Sequence, residues 1–500
     1  MKKYLAPLLV ECFPAPSSAR PPREQFSLRS TPGSSSSALR NQHYRLPALT
    51  LALFAGMFAS SVPAKDPADS LVERLERLER RLGQVEQENL KLKNALKFRT
   101  ERLERVEARA GKNAIPGVVP TYSSVNGDAS FKIRGVIDAD AVAFHEHEGN
   151  YDYNSGTGFR RARIGLEGDA FMGQFKWRLE ADLAGNAVGI TDGFVAYVAK
   201  RPWTFSFGQH KAHFGLESNT VDNYNTFLER SMYSNAFGGA GAERRFGLSA
   251  LYGTDQLTAG FGMFGDAESA SRVAAAPDES IGVNGRVTWA PLFEPEHILQ
   301  LGLAGYVRDD LKEGGFADAV RLSDRPNVRI DGGNFADTGI IRQVESLQYL
   351  GAETVYIRGP LTLAGEYGKA RAVRKSGLKD VNLDGFYVYG AWFLTGESRG
   401  LKTGNFERIK PWREFDLGRG NWGAFELALR YDRFDFSETP VAANHGNHGD
   451  SLTAAFNWYL NGNLKLMLNW VHFQGERSPL DPVGSQTSAD ALAARVHLDW

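Results

Sequence analysis

From Phe159 to Leu183 the chain reads FRRARIGLEGDAFMGQFKWRLEADL, and side-chain character switches at almost every residue. A strand sends successive side chains to opposite faces. Taken as two strands around Met172 and Gly173, the first sets Arg161, Arg163, Glu167 and Asp169 on one face and Ala162, Ile164 and Leu166 on the other. The second sets Lys176, Arg178, Glu180 and Asp182 against Phe175, Trp177, Leu179, Ala181 and Leu183. One such hairpin fits an ordinary half-buried sheet. The pattern recurs, however. Phe425, Leu427, Leu429 and Tyr431 alternate with Glu426, Ala428, Arg430 and Asp432; Leu464, Leu466, Leu468 and Trp470 alternate with Lys465, Met467 and Asn469; Ile281, Val283, Val287 and Trp289 alternate with Asn284, Arg286 and Thr288.

No run approaches the roughly 20 apolar residues of a membrane-spanning helix. A chain with these faces that sits in a membrane must therefore cross it with strands, closed into a barrel so that every backbone group finds a partner. After residue 130 about sixteen short runs suit strands, beginning near 131, 158, 174, 190, 203, 245, 256, 280, 297, 347, 361, 383, 423, 451, 464 and 490. Tight connections at Met172 to Gln174, Lys200 to Pro202, Thr254 to Gln256, Gly359 to Pro360 and Leu460 to Asn463 alternate with long ones that include 216–244, 309–346, 396–422 and 476–489. Outer-membrane barrels have that asymmetry, with short periplasmic turns, long external loops and an even strand count. Phe175, Trp203, Trp289, Tyr387, Trp458, Tyr459 and Trp470, near strand ends, suit the aromatic girdles. Leu492, Ala494, Val496, Leu498 and Trp500 end the chain as one more amphipathic strand with a terminal aromatic residue, an ending similar to that of barrels inserted by the outer-membrane assembly machinery.

The net charge of −1 gives no reason to expect a nucleic-acid partner, and a lone cysteine, Cys12, excludes a disulfide framework and a cysteine metal site. Residues 1–43, rich in Pro, Ser and Arg, read as disordered or as lying upstream of the true start. Residues 44–64 read as a signal peptide: Arg45, an apolar run from Leu46 to Ala59, then Val62, Pro63 and Ala64 before a cleavage point near Lys65. Residues 65–110 read as an α-helical coiled coil. One heptad position falls on Ala68, Leu75, Leu82, Asn89, Leu96, Leu103 and Ala110, the other on Leu71, Leu78, Val85, Leu92, Arg99 and Val106. That implies self-association, with two or three chains both compatible. Residues 111–130, with Pro116 and Pro120, read as a linker, and 131–500 as the barrel. The fold class is thus all-β, a sixteen-stranded antiparallel transmembrane barrel preceded by a helical coiled coil.

Several segments resemble the phosphate-selective porin O and P family: FRRARIGLEG from Phe159 to Gly168, FSFGQHKAHFGLES from Phe205 to Ser218, FLERS from Phe227 to Ser231, GFYVYGAWFLTGESRG from Gly385 to Gly400, and WGAFELALRYDRFDF with FNWYLNGNLKLMLNW between Trp422 and Trp470. The resemblance covers roughly 131–500. It implies a trimeric channel whose third external loop folds inward, making 216–244 the constriction loop with Glu217, Asp222, Glu229 and Arg230. It also implies pore-lining Arg and Lys side chains. Arg161, Arg163 and Lys211 fall within matching motifs, joined by Lys132 and Arg134 on the first strand and Lys176 and Arg178 on the third. Counted from Phe205 and Phe207, alternation turns Lys211 outward unless a bulge or the strand end brings it in. Asp138, Asp140, Glu167, Asp169, Glu180 and Asp182 share the lumen face with these cations, so the arginines either select anions or pair with the acids. Charge count does not decide between the two.

The function that follows is an outer-membrane porin, with outer-membrane lipid around it and small solutes, phosphate or other anions among them, passing by diffusion. The alternative is a structural protein in which the barrel anchors a periplasmic coiled-coil stalk that binds peptidoglycan. No nucleophile, phosphate loop or cofactor motif points to an enzyme. His145, His147 and Glu148, and Asn444, His445, Asn447, His448 and Asp450, read as solvated loop residues rather than metal ligands.

Overall fold

The computed structural model describes residues 121–124, 128–186, 188–199, 202–267, 279–480 and 486–500, with Leu82 and Lys93. The expected signal peptide and the body of the expected coiled coil lie outside the described residues. Among the described residues no helix is long and apolar enough to cross a membrane.

Sixteen strands build the barrel: β1 Ser130–Glu148, β2 Gly156–Ala170, β3 Phe175–Asp182, β4 Gly189–Val198, β5 Trp203–Lys211, β6 Arg244–Gly253, β7 Leu257–Phe264, β8 Ile281–Glu294, β9 His297–Asp309, β10 Val344–Arg358, β11 Leu361–Arg374, β12 Val381–Phe393, β13 Ala424–Asp435, β14 His448–Tyr459, β15 Leu464–Glu476 and β16 Gln486–Asp499. Each pairs antiparallel with its neighbours in sequence, and β1 also pairs with β16 from Val136↔Asp499 to Glu148↔Ser488, which closes the sheet. Closure leaves no strand edge unpaired in lipid. The last residue seals the seam: Gly135 and Trp500 exchange backbone hydrogen bonds of 3.2 and 3.1 Å. A Cβ on Gly135 would lie 2.1 Å from the Trp500 ring, so glycine is what lets the indole lie flat there. A three-residue strand, Thr121–Ser123, pairs with the start of β1 inside the segment expected to be a linker.

The two faces separate as alternation requires. Ile164, Leu179, Val287, Trp289, Leu429, Leu468, Trp470, Leu492 and Val496 are exposed on the outside, while Asp138, Asp140, Glu180, Arg286, Arg430, Asp432, Lys465 and Asn469 are buried inside. The inward charges are buried because loops, rather than bulk water, fill much of the lumen. That filling also corrects two of the girdle residues. Tyr387 and Tyr459 point inward and donate to Glu366 at 2.7 Å and Glu426 at 2.8 Å.

Connections after even-numbered strands lie at one end of the barrel, and six of the seven are tight, such as the Phe171–Gly173 turn with φ of 52°, 57° and 78°. The exception is 394–423. Its length suits the external end, but strand parity puts it among the short, periplasmic turns. It folds back into the lumen with a small hairpin, Leu401–Lys402 paired to Asn405–Phe406.

Candidate functional site

The lumen is narrowed by the connection 212–243 between β5 and β6, in agreement with the inward loop expected at 216–244. Its first helical turn, Leu216–Asn219, is seated on a carboxylate of the wall: the Leu216 and Glu217 amides donate to Glu366 at 2.8 and 3.0 Å. Gly215 permits this approach, since a Cβ there would lie 1.9 Å from Glu366 Oε1. The longer helix α1, Met232–Gly241, begins at Ser231, whose Oγ accepts from the Ser234 amide at 3.0 Å and donates to Glu217 at 2.8 Å. Asp432 of β13 accepts from the Met232 amide at 2.5 Å, a carboxylate at the positive end of the helix. Tyr306 donates to the Phe237 carbonyl at 2.9 Å, and Tyr233 shares a hydrogen bond with Tyr349. One side of the lumen is therefore packed solid by α1 against β9 to β13.

The other side is ionic. Arg163 meets Asp222 at 2.8 Å and Asp182 at 2.9 Å, and Arg161 meets Asp138 at 2.8 Å and Asp222 at 3.5 Å. Lys211 turns inward at the end of β5, after Gly208 at φ 115°, and its Nζ reaches the Ser218 carbonyl at 2.8 Å, the Thr220 carbonyl at 3.0 Å and Asp222 at 3.3 Å. Arg230 also pairs with Asp222, and meets Glu243 at 2.9 Å. Glu217 takes Arg430 at 3.1 Å. Glu229 takes Arg160 at 2.7 Å, Arg495 at 2.8 Å and Arg329 at 3.5 Å. Nearer the periplasmic end, Glu167 gathers Lys132 at 2.9 Å, Arg134 at 2.8 Å and Arg178 at 2.8 Å, and Lys176 meets Asp169 at 3.1 Å. All seven wall cations singled out from the sequence thus face the lumen, each beside a carboxylate.

Burial opposes charge on Asp222 and Glu229, but the cations around them outweigh it. Arg230, Lys211, Arg161 and Arg163 hold the Asp222 carboxyl well below the usual range, and Arg160, Arg495, Arg161 and Arg329 do the same for Glu229. The connection 394–423 closes in from the periplasmic end. Arg399 donates to Glu426 at 2.6 Å, the Gly404 carbonyl accepts from Arg286 at 2.8 Å, and the Phe406 amide donates to Thr220 of the constriction loop at 3.4 Å. On the external side an open cavity of about 650 Å³ remains, lined by Arg160, Arg325 and Arg329 with Asp140 and Asp182. Among the described residues Arg325 makes no ion pair; it donates to the Arg329 carbonyl at 2.9 Å.

A profile of the family described as phosphate-selective porin O and P matches residues 131–500, the whole barrel. The chain belongs to that family. An uncharacterized protein of Caulobacter vibrioides is 31% identical to the porin over 392 residues, 76% of each chain. Porin O of Pseudomonas aeruginosa is 28% identical over 389 residues, 70% of this chain and 84% of its own. Among solved structures, an anion-selective porin from Comamonas acidovorans aligns over 74% of this chain and 100% of its own with TM-score 0.47 and 16% identity. Membership and the closed barrel make the protein an outer-membrane porin channel.

Part of the porin's charge network escapes a reading by alternation. Arg160 faces inward only because the β1–β2 register shifts between Asp138 and Ala139, a bulge that leaves Arg160 without a partner on β1. Arg329 and Arg325 arrive on a loop, where no period reports direction. Arg495 and His497 were within reach: they alternate with the lipid-facing Leu492, Val496 and Leu498, and contact Asp140 and Asp138 at 2.6 Å each.

Proposed function

We propose that the porin passes small anions, phosphate among them. The observation that carries this reading is the cluster of Arg160, Arg325 and Arg329 around the external cavity, with Arg325 free of any acid partner among the described residues. An anion entering there meets donors that replace part of its hydration and then the paired Arg161 and Arg163 below. The acids that hold those arginines also keep their guanidinium groups fixed, so that an anion competes for existing donors without reorganising the wall. The test is single-channel recording in planar bilayers. Chloride current that falls on addition of phosphate supports the reading, and current indifferent to phosphate contradicts it.

The heptads from Ala68 to Ala110 support self-association, and we assign the assembly as a homotrimer after export and cleavage near Lys65. Because β1 begins at the short-turn end, a coiled coil joined to it lies in the periplasm. Cross-linking of the purified porin tests the stoichiometry, and a ladder ending at two chains contradicts a trimer. Binding of peptidoglycan by the stalk is the competing structural reading, and a pull-down with the full porin on isolated cell wall decides it.

A further inference from the structure

We propose that His147, His472 and Asp490 form a binding site for a divalent transition-metal ion of the zinc class on the outside of the barrel, across the seam between its first and last strands. The site is independent of the pore.

Register brings these residues together. Asp490 on β16 lies opposite His472 on β15 and opposite His145 on β1, and His147 is two residues further along β1. On β15 and β16 the buried positions are odd-numbered, so His472 and Asp490 share the outward face with Trp470, Leu492 and Val496. The Asp490 carboxylate spans both histidines: His472 Nδ1 is 2.7 Å from Oδ1 and His147 Nε2 is 3.2 Å from Oδ2. One donor atom from each of the three residues lies within 4.8 Å of the others. In a tetrahedral zinc site with bonds of about 2.1 Å the donors stand about 3.4 Å apart, so small side-chain rotations complete the geometry.

The donor chemistry fits. Two imidazoles and one carboxylate are a common zinc set, and three protein ligands leave a fourth position for water. The surroundings fix the rings: Trp470 stacks on His472 with centroids 6.1 Å apart and 18° between planes, and His145 stands edge-on to His147 at 4.9 Å. Such ordering of a metal-binding imidazole by its neighbours is what a second layer of side chains supplies. The location gives the ion a role. No turn connects β1 to β16; their pairing and the lumen-side contacts of Arg495 with Asp140 and His497 with Asp138 hold the seam, and a metal held by His147 on one side and by Asp490 and His472 on the other would pin that closure from outside at its external end, beside Gln486 where β16 starts.

The experiment uses the full folded porin, stripped with chelator and titrated with Zn²⁺ alone by calorimetry, with Co²⁺ absorption as an independent report on histidine ligation. The expected result is saturable binding of one ion per chain, a rise in the temperature at which the folded barrel loses its compact migration in detergent gels, and reversal by chelator. His472→Ala and Asp490→Asn should each weaken binding at least tenfold, as loss of a ligand or its support does, while His445→Ala leaves it unchanged. Absence of saturable binding to the wild-type porin, or binding equally strong in His472→Ala, would overturn the proposal and leave the trio as ordinary His–Asp ion pairs. If a variant does not fold, the wild-type Co²⁺ spectrum still decides, since a spectrum lacking histidine ligation rejects the site.

Discussion

Arg160 of β2 donates through Nε to Glu229 of the constriction loop at 2.7 Å, although strict alternation along its strand would send it to lipid. The bulge that turns it inward thereby fastens the constriction loop to the barrel wall. Glu229 is almost wholly buried and holds Arg495 at 2.8 Å as well, so Glu229→Gln leaves Arg160 without its carboxylate and removes one of the two that Arg495 shares, Asp140 remaining at 2.6 Å. The loss should be on the order of 2 kcal/mol of loop docking. Single-channel records of Glu229→Gln should show larger and noisier conductance than wild type.

Gly215→Ala attacks the opposite anchor. Its methyl cannot coexist with Glu366 Oε1 in place, so the carboxylate must leave the amides of Leu216 and Glu217. Leaving those buried donors unsatisfied costs about 1–3 kcal/mol. Conductance substates should increase while barrel stability in urea stays near wild type, because no strand pairing changes.

The lipid face makes a contrasting prediction. Leu468, exposed in the middle of β15, should tolerate charge poorly: Leu468→Arg should cost about 2–4 kcal/mol near the bilayer midplane. Folding equilibria in lipid vesicles measure this. A similar cost at the membrane is not expected for Asn469→Arg, which faces the lumen, although crowding there should alter conductance.

Asp222 and Glu229 have carboxyl pKa values held well below the ordinary range of about 4. A depressed pKa contributes stability that is fully present above the unfolded value and is lost as pH falls through the folded one. The contribution of these two carboxylates to loop docking should therefore be constant from neutral pH to about 5, and its loss, seen as looser, higher-conductance channels, should come only in stronger acid. A conductance change near pH 6 to 7 would point to other groups.

Much of this architecture is legible in the sequence because lipid outside and charge inside make alternation loud. Leu464 to Trp470 and Phe425 to Asp432 declare both faces, and strand starts read from the chain fall within a few residues of the observed ones. Alternation fails where the inside is not wet. Tyr387 and Tyr389 face the constriction loop, at Tyr233 and Phe227, and not water, while Val388 and Trp392 face lipid, so β12 is apolar on both sides and its direction is hidden. It fails again at Arg160, where one bulged residue shifts the count, and at 394–423, whose length suggests an external loop although strand parity puts it in the periplasmic end. Which carboxylate each lumen arginine meets depends on the curvature of the wall and the path of two inward loops, and no spacing in the chain encodes that.

Reversal potential across a bilayer with a salt gradient reports whether the channel passes anions in preference to cations. With potassium chloride at unequal concentrations on the two sides, the account predicts a potential of the sign set by anion flux, shrinking toward zero in Arg325→Glu as the one unpaired guanidinium among the described residues at the external cavity is replaced by an acid. A wild-type potential of zero or of the cation-selective sign would contradict it.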